Sequence, residues 1–104
     1  MFGNGFAPGP SGTIAVTDVS ARLAVTGRGK TLYVNNVGST ECFVAVGGST
    51  VAAVAGGATT ALTGSMSFPA GFSCAIAMDA NTHVAAICAT GGTTTLRITR
   101  GDGQ

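Results

Sequence analysis

The sequence predicts an all-β chain, a single small β-sandwich or jelly roll with an extended N-terminal arm. Three observations carry that prediction. Apolar residues recur with a period of two inside short runs, turn-forming Gly, Asn, Ser, Asp and Pro separate those runs, and Thr, Val and Ile populate them. Branched side chains of that kind suit the pleated conformation and lose rotamer freedom in a helix.

Residues 1–12, MFGNGFAPGPSG, read as the arm. Phe2 and Phe6 are groups that a merely solvated tail has no use for, so Phe2, Phe6, Pro8 and Pro10 are the candidate partner-binding residues. The sandwich is assigned to residues 13–100 and a flexible tail to residues 101–104. In residues 21–26 Leu23 and Val25 share a face, and in residues 30–36 Leu32 and Val34 do so; both runs have the strand period. Asn35-Asn36-Val37-Gly38-Ser39-Thr40 is a dense cluster of turn formers. The next run alternates Cys42, Val44 and Val46 against Glu41, Phe43 and Ala45, so residues 30–46 are expected to form a hairpin. Residues 47–64 are rich in Ala, Thr and Gly, and weak strands and loops both fit them. Phe68-Pro69-Ala70-Gly71 supplies a bend suited to a change of sheet, because Pro fixes its backbone angle and Gly accepts a positive φ. Three further runs, 73–78, 82–89 and 93–100, are separated by the turns Asp79-Ala80-Asn81 and Gly91-Gly92. In the last, Leu96 and Ile98 oppose Thr95, Arg97 and Thr99. Seven or eight such strands in one small domain make a sandwich or jelly roll.

With 104 residues there is one core and no room for a second domain. Charged residues are 9% of the chain, against about 25% in ordinary domains. With a net charge of +1, little self-repulsion holds copies apart, so a homodimer or homotrimer is expected. Cys42, Cys74 and Cys88 are odd in number and sit at apolar positions of their runs, which predicts buried, reduced thiols. The start lacks a basic segment and an apolar run, so a cytosolic product is expected. Residues 43–62 imitate a membrane span in length, but Gly47-Gly48 and Gly56-Gly57 divide them and Thr59 and Thr60 add hydroxyls; no membrane partner is expected.

Residues capable of chemistry are sparse. Ala24-Val25-Thr26-Gly27-Arg28-Gly29-Lys30-Thr31 fits a relaxed phosphate-loop pattern, but Lys30 opens a strand where such a loop needs a helix N-terminus. Arg100-Gly101-Asp102 spells a receptor-read tripeptide by composition alone. His83, with Asp79 and Ser73 near in sequence, lacks the signature of a nucleophile elbow. Asp18, Glu41, Asp79 and Asp102 are scattered one per segment, which suits neither paired-carboxylate catalysis nor an oxygen-rich metal cage. Arg22, Arg28, Lys30 and Tyr33 could line a nucleic-acid groove, but so few cations give a small counterion-release contribution. The chain is thus expected to be no enzyme and to take no cofactor, no metal, no small-molecule substrate and no nucleic acid.

Two stretches together resemble small virion proteins of tailed bacteriophages. They are Leu32-Tyr33-Val34-Asn35-Asn36-Val37-Gly38-Ser39-Thr40-Glu41-Cys42-Phe43-Val44, and Phe68-Pro69-Ala70-Gly71 followed by Thr82-His83-Val84-Ala85-Ala86-Ile87 and the Gly-rich end. The resemblance is to capsid decoration, or cement, proteins. It implies a compact β-sandwich on the outer capsid surface that staples neighbouring major capsid subunits and stabilises the DNA-filled head, after synthesis in the host cytoplasm. It brings no catalytic residues. A receptor-binding or glycan-binding module of a tail or fibre, for which exposed Trp or Tyr clusters are wanted, and a head-to-tail joining protein are the alternatives.

Overall fold

Eight strands form among the described residues: β1 (Ala7–Val16), β2 (Ala21–Ala24), β3 (Thr31–Asn36), β4 (Cys42–Gly47), β5 (Met66–Phe68), β6 (Ser73–Ala77), β7 (His83–Cys88) and β8 (Thr94–Asp102). The computed structural model describes residues 7–25, 29–56 and 64–102. The strands make two antiparallel four-stranded sheets, β1-β8-β3-β6 and β2-β7-β4-β5, hereafter the first and second sheets. The pairs β1·β8, β2·β7, β3·β6 and β4·β5 are those of a chain doubled back on itself as one long antiparallel ribbon. Winding that ribbon sets β8 beside β3 and β7 beside β4, which is the jelly roll.

Every connection except that between β4 and β5 therefore changes sheet. The bend at residues 68–71 does so as expected. The turn at residues 35–40 does not close a hairpin: β3 pairs with β8 and β6, while β4 pairs with β7 and β5. Turn-forming residues encode a reversal of direction, and the same residues serve a hairpin within one sheet or an arch between two. The receiving sheet is decided by distant strands.

Alternation along the strands builds the core. Leu32 and Val34 from β3, Leu96 and Ile98 from β8, Val84 from β7 and Phe68 from β5 are fully buried between the sheets, with Met78 closing one end. Each such side chain contributes about 1.5–3 kcal/mol on leaving water. All three cysteines are free. Cys42 and Cys88 are buried, but Cys74 is half-buried, because β6 is an edge strand with no further strand beside it among the described residues.

The boundaries of the arm and tail also differ from expectation. β1 begins at Ala7, and Ala7, Pro8, Ser11 and Gly12 face Asp102, Gly101, Thr99 and Ile98 of β8. Residues 7–12 thus belong to the first sheet, as do Gly101 and Asp102. A register shift lies between Pro8 and Ser11, and β1 is an edge strand. An edge and a bulge are both places where a sheet tolerates proline's missing N–H.

The segment after β4 is neither strand nor free loop. Its described part, residues 48–56, crosses the outside of the second sheet as a strap. Val51 sits over Gly47, where an added Cβ would lie 3.0 Å from Val51 Cβ. Arg22 Nη1 donates to the Val51 carbonyl (3.1 Å), and the Ala53 N–H donates to Ser20 Oγ (2.9 Å) on the far side of β7. Val54 N–H donates to Ser65 Oγ and Ser65 N–H to the Val54 carbonyl, both at 2.9 Å, closing the excursion. Ala85 of β7 points outward beneath this crossing and is nevertheless fully buried.

Candidate contact surface

The outer face of the first sheet is the open one. Its side chains alternate with the core: Ser11, Thr13 and Ala15 on β1, Thr95, Arg97 and Thr99 on β8, Thr31, Tyr33 and Asn35 on β3, and Ser73, Ala75 and Ala77 on β6. Register arranges them in rows. Ser11, Thr99, Tyr33 and Ala75 make one, and Thr13, Arg97, Asn35 and Ser73 the next. The result is a broad surface of hydroxyls, methyls and one amide, carrying one aromatic ring and one cation. Tyr33 is 39% exposed and its hydroxyl donates to Ser73 Oγ at 3.0 Å, so the ring is held along the face.

One end of the sandwich borders this face. A depression of about 440 Å³ lies there between the end of β1, the β3–β4 turn and the start of β8, lined by Thr17, Ser39, Thr93 and Thr95 among others. Beside it Asn36, fully buried, fixes the turn: Oδ1 accepts from the Gly38 N–H (3.1 Å) and Thr94 Oγ1 (2.7 Å), while Nδ2 donates to the carbonyls of Phe68 (2.8 Å) and Thr40 (2.9 Å). Every donor and acceptor of the carboxamide is used. Gly38 is required there by close approach, since a Cβ would collide with Thr94 Oγ1. Val37 and Phe72 remain exposed at this end, with the Phe72 ring edge-on to Phe68 at 5.3 Å between centroids.

The opposite end is organised by Arg100. Its side chain is buried, and it donates to four backbone carbonyls: Nε to Gly29 (2.9 Å), Nη1 to Val25 (2.9 Å) and Asn81 (3.0 Å), and Nη2 to Asp79 (3.0 Å). The guanidinium fork thus ties the β2–β3 and β6–β7 connections to β8. Gly29, with φ of 106°, packs against Gly101 too closely for any side chain. The Arg100-Gly101-Asp102 tripeptide is therefore strand, with its arginine inside the protein and Asp102 Oδ1 accepting from the Lys30 N–H at 3.3 Å.

The remaining singled-out residues do not converge. Phe2 and Phe6 lie outside the described residues, and Pro8 and Pro10 lie within β1. Ser73 opens β6 in the first sheet and His83 opens β7 in the second, at opposite ends, with His83 Nδ1 2.8 Å from Thr82 Oγ1. Arg22 faces the strap on the second sheet, whereas Tyr33 faces outward from the first, and Arg28 is outside the described residues. Lys30 and Thr31 lead into β3, with no helix after the phosphate-loop-like string. Glu41 accepts a hydrogen bond from Ser67 Oγ across the start of β4. Among the described residues no group of three His, Cys, Asp or Glu side chains is placed to hold a metal ion, and no helix is long and apolar enough to cross a membrane.

The open face was partly legible beforehand, because the Thr95, Arg97, Thr99 alternation marks the outside of β8. Its breadth was not, since it depends on which strands flank β8. No protein-family model, no curated protein and no solved structure matches the chain.

Proposed function

We propose that the chain is a structural protein that works by surface contact, as a capsid decoration protein docking on the outside of an assembled phage head. The observation that supports this reading best is the asymmetry between the two sheets: the strap crosses the second, while the first presents rows of small neutral side chains around Tyr33 and Arg97. A flat face of low charge loses little on desolvation and fits the surface of another folded protein. The resemblance of residues 32–44 and 68–87 to tailed-phage virion proteins supplies the partner, the major capsid protein. Contacts made only with the assembled lattice stabilise it by mass action, without chemistry.

The arm is the proposed second contact, with Phe2 and Phe6 as anchors leading into Pro8 and Pro10. Burying each Phe contributes about 1.5–3 kcal/mol, against about 1–2 kcal/mol per residue of backbone ordered. The outer edges of β1 and β6, which pair with no further strand among the described residues, are the proposed route to a homodimer or homotrimer.

Co-sedimentation with capsids lacking the protein tests the docking face. The double variant Arg97→Glu, Thr99→Glu places two carboxylates at the centre of the first sheet, and Ala52→Glu places one on the exposed strap as a control. The expected result is at least a tenfold loss of binding for the double variant and unchanged binding for the control, since uncompensated charge at an interface centre costs about 1.4 kcal/mol or more. Binding by the double variant at the level of the unmodified protein would remove the face from the proposal.

A further inference from the structure

Cys42 and Cys88 face each other across β4 and β7 at the same register position. Antiparallel partners come in two kinds, and only the pair that does not exchange backbone hydrogen bonds brings its Cα atoms to about 4.5 Å. The backbone of Cys88 identifies which kind this is. Its N–H donates to the Thr17 carbonyl at 2.7 Å, on the side of β7 away from β4. In an antiparallel strand a residue's N–H and C=O point to the same side, so Cys88 exchanges no hydrogen bond with Cys42. At the far end of the same ladder the Thr82 N–H donates to the Gly47 carbonyl at 3.0 Å, so Gly47, five positions along from Cys42, turns its carbonyl toward β7, as the alternation requires. Both side chains lie on the inward face, and both are buried in one hydrophobic cluster. A Cα separation of about 4.5 Å lies inside the range a disulfide spans, about 4.4–6.8 Å.

We propose that Cys42 and Cys88 are a covalent cross-link site, oxidised by a small hydroperoxide to a disulfide that locks β4 to β7 at the centre of the second sheet. Cys88 is the first to react, because it is the last residue of β7 and is followed by the exposed turn residues Ala89, Thr90 and Gly91. Its sulfur takes one oxygen from hydrogen peroxide to give a sulfenic acid and one water. The Cys42 sulfur then attacks the Cys88 sulfur, the S–O bond breaks, and the hydroxyl leaves with the Cys42 proton as a second water. Two thiols and one peroxide thus give one disulfide and two waters. Burial, then Cys88, then Glu41 push the Cys42 thiol up to about 12, and burial followed by Asp18 raises that of Cys88. The thiolate is the nucleophile toward peroxide as well, so both shifts slow the first step and the cross-link needs sustained exposure; selectivity for peroxide over bulky disulfides comes from its size, close to that of water. Cys74 lies on β6 in the other sheet and is not part of the pair.

The native protein is exposed to hydrogen peroxide, quenched, and mapped by non-reducing peptide mass analysis, alongside Cys74→Ser. The expected product in both is a peptide pair joined through Cys42 and Cys88, with the intact mass reduced by two hydrogens. Its thermal midpoint rises by about 10 °C, reversed by a thiol reductant. Cys88→Ser should show no cross-link and no rise. Sulfinic or sulfonic acids at Cys42 and Cys88 without the joined peptide, a cross-link through Cys74, or unchanged thiols under conditions that oxidise the urea-unfolded chain would each overturn the proposal.

Discussion

Asn36 shows how much one side chain holds together. Its carboxamide joins the end of β3 to the Gly38 N–H, to Thr94 at the start of β8, and to the Phe68 carbonyl at the end of β5. Asn36→Asp keeps the shape but replaces the amide donor by an oxygen, which leaves the Thr40 and Phe68 carbonyls without their partner. Urea titration should show a loss of about 2–6 kcal/mol, from about 1–3 kcal/mol for each of the two groups left unsatisfied. A loss under about 1 kcal/mol would mean that the turn holds without the network. The sequence marked residues 35–40 as a turn, and the chain does reverse there, but Asn35 and Asn36 are the last residues of β3; nor did the sequence mark Asn36 as buried, because its partners come from up to 58 positions away. Arg100 was hidden for the same reason. It stands at the end of the 93–100 run, where local pattern does not mark it as buried, and the carbonyls that enclose it belong to segments 19 to 75 positions distant.

At the scale of the element, alternation and connection carry different amounts of information. Runs such as Cys42, Val44, Val46 and Leu96, Ile98 disclose their inward faces directly, since a strand exposes its period of two in local sequence. Sheet membership is not local, which is why residues 30–46 read as a hairpin and fold as an arch. The strap was illegible for another reason. It packs as coil, with Val51 over Gly47 and the Ala53 N–H tied to Ser20, and coil has no period to read. The arm boundary yields a prediction. Deleting residues 1–6 should leave the stability of the sandwich unchanged, whereas deleting residues 1–12 removes the pairings of Ala7, Pro8, Ser11 and Gly12 with β8 and should lower the thermal midpoint by several degrees. Differential scanning calorimetry of the two truncations separates these outcomes. Equal midpoints would show that the first half of β1 contributes nothing to the fold.

At the scale of the whole molecule, the jelly roll wound from one ribbon puts a strap on one side and an open sheet on the other, and the functional proposal rests on that polarity. The fold class follows from local patterning, while the open face follows from strand order, which no short window of sequence contains. The central claim is contact with every repeat of a capsid lattice, as opposed to a single vertex or tail. Copy number is the quantity that distinguishes them. Quantitative mass spectrometry of purified particles, with the major capsid protein as internal reference, measures it directly. The account predicts a fixed ratio to the major capsid protein, set by the repeating sites of the lattice and lost on stripping the head surface. A handful of copies per particle, retained with isolated tails or with the portal vertex, would contradict it.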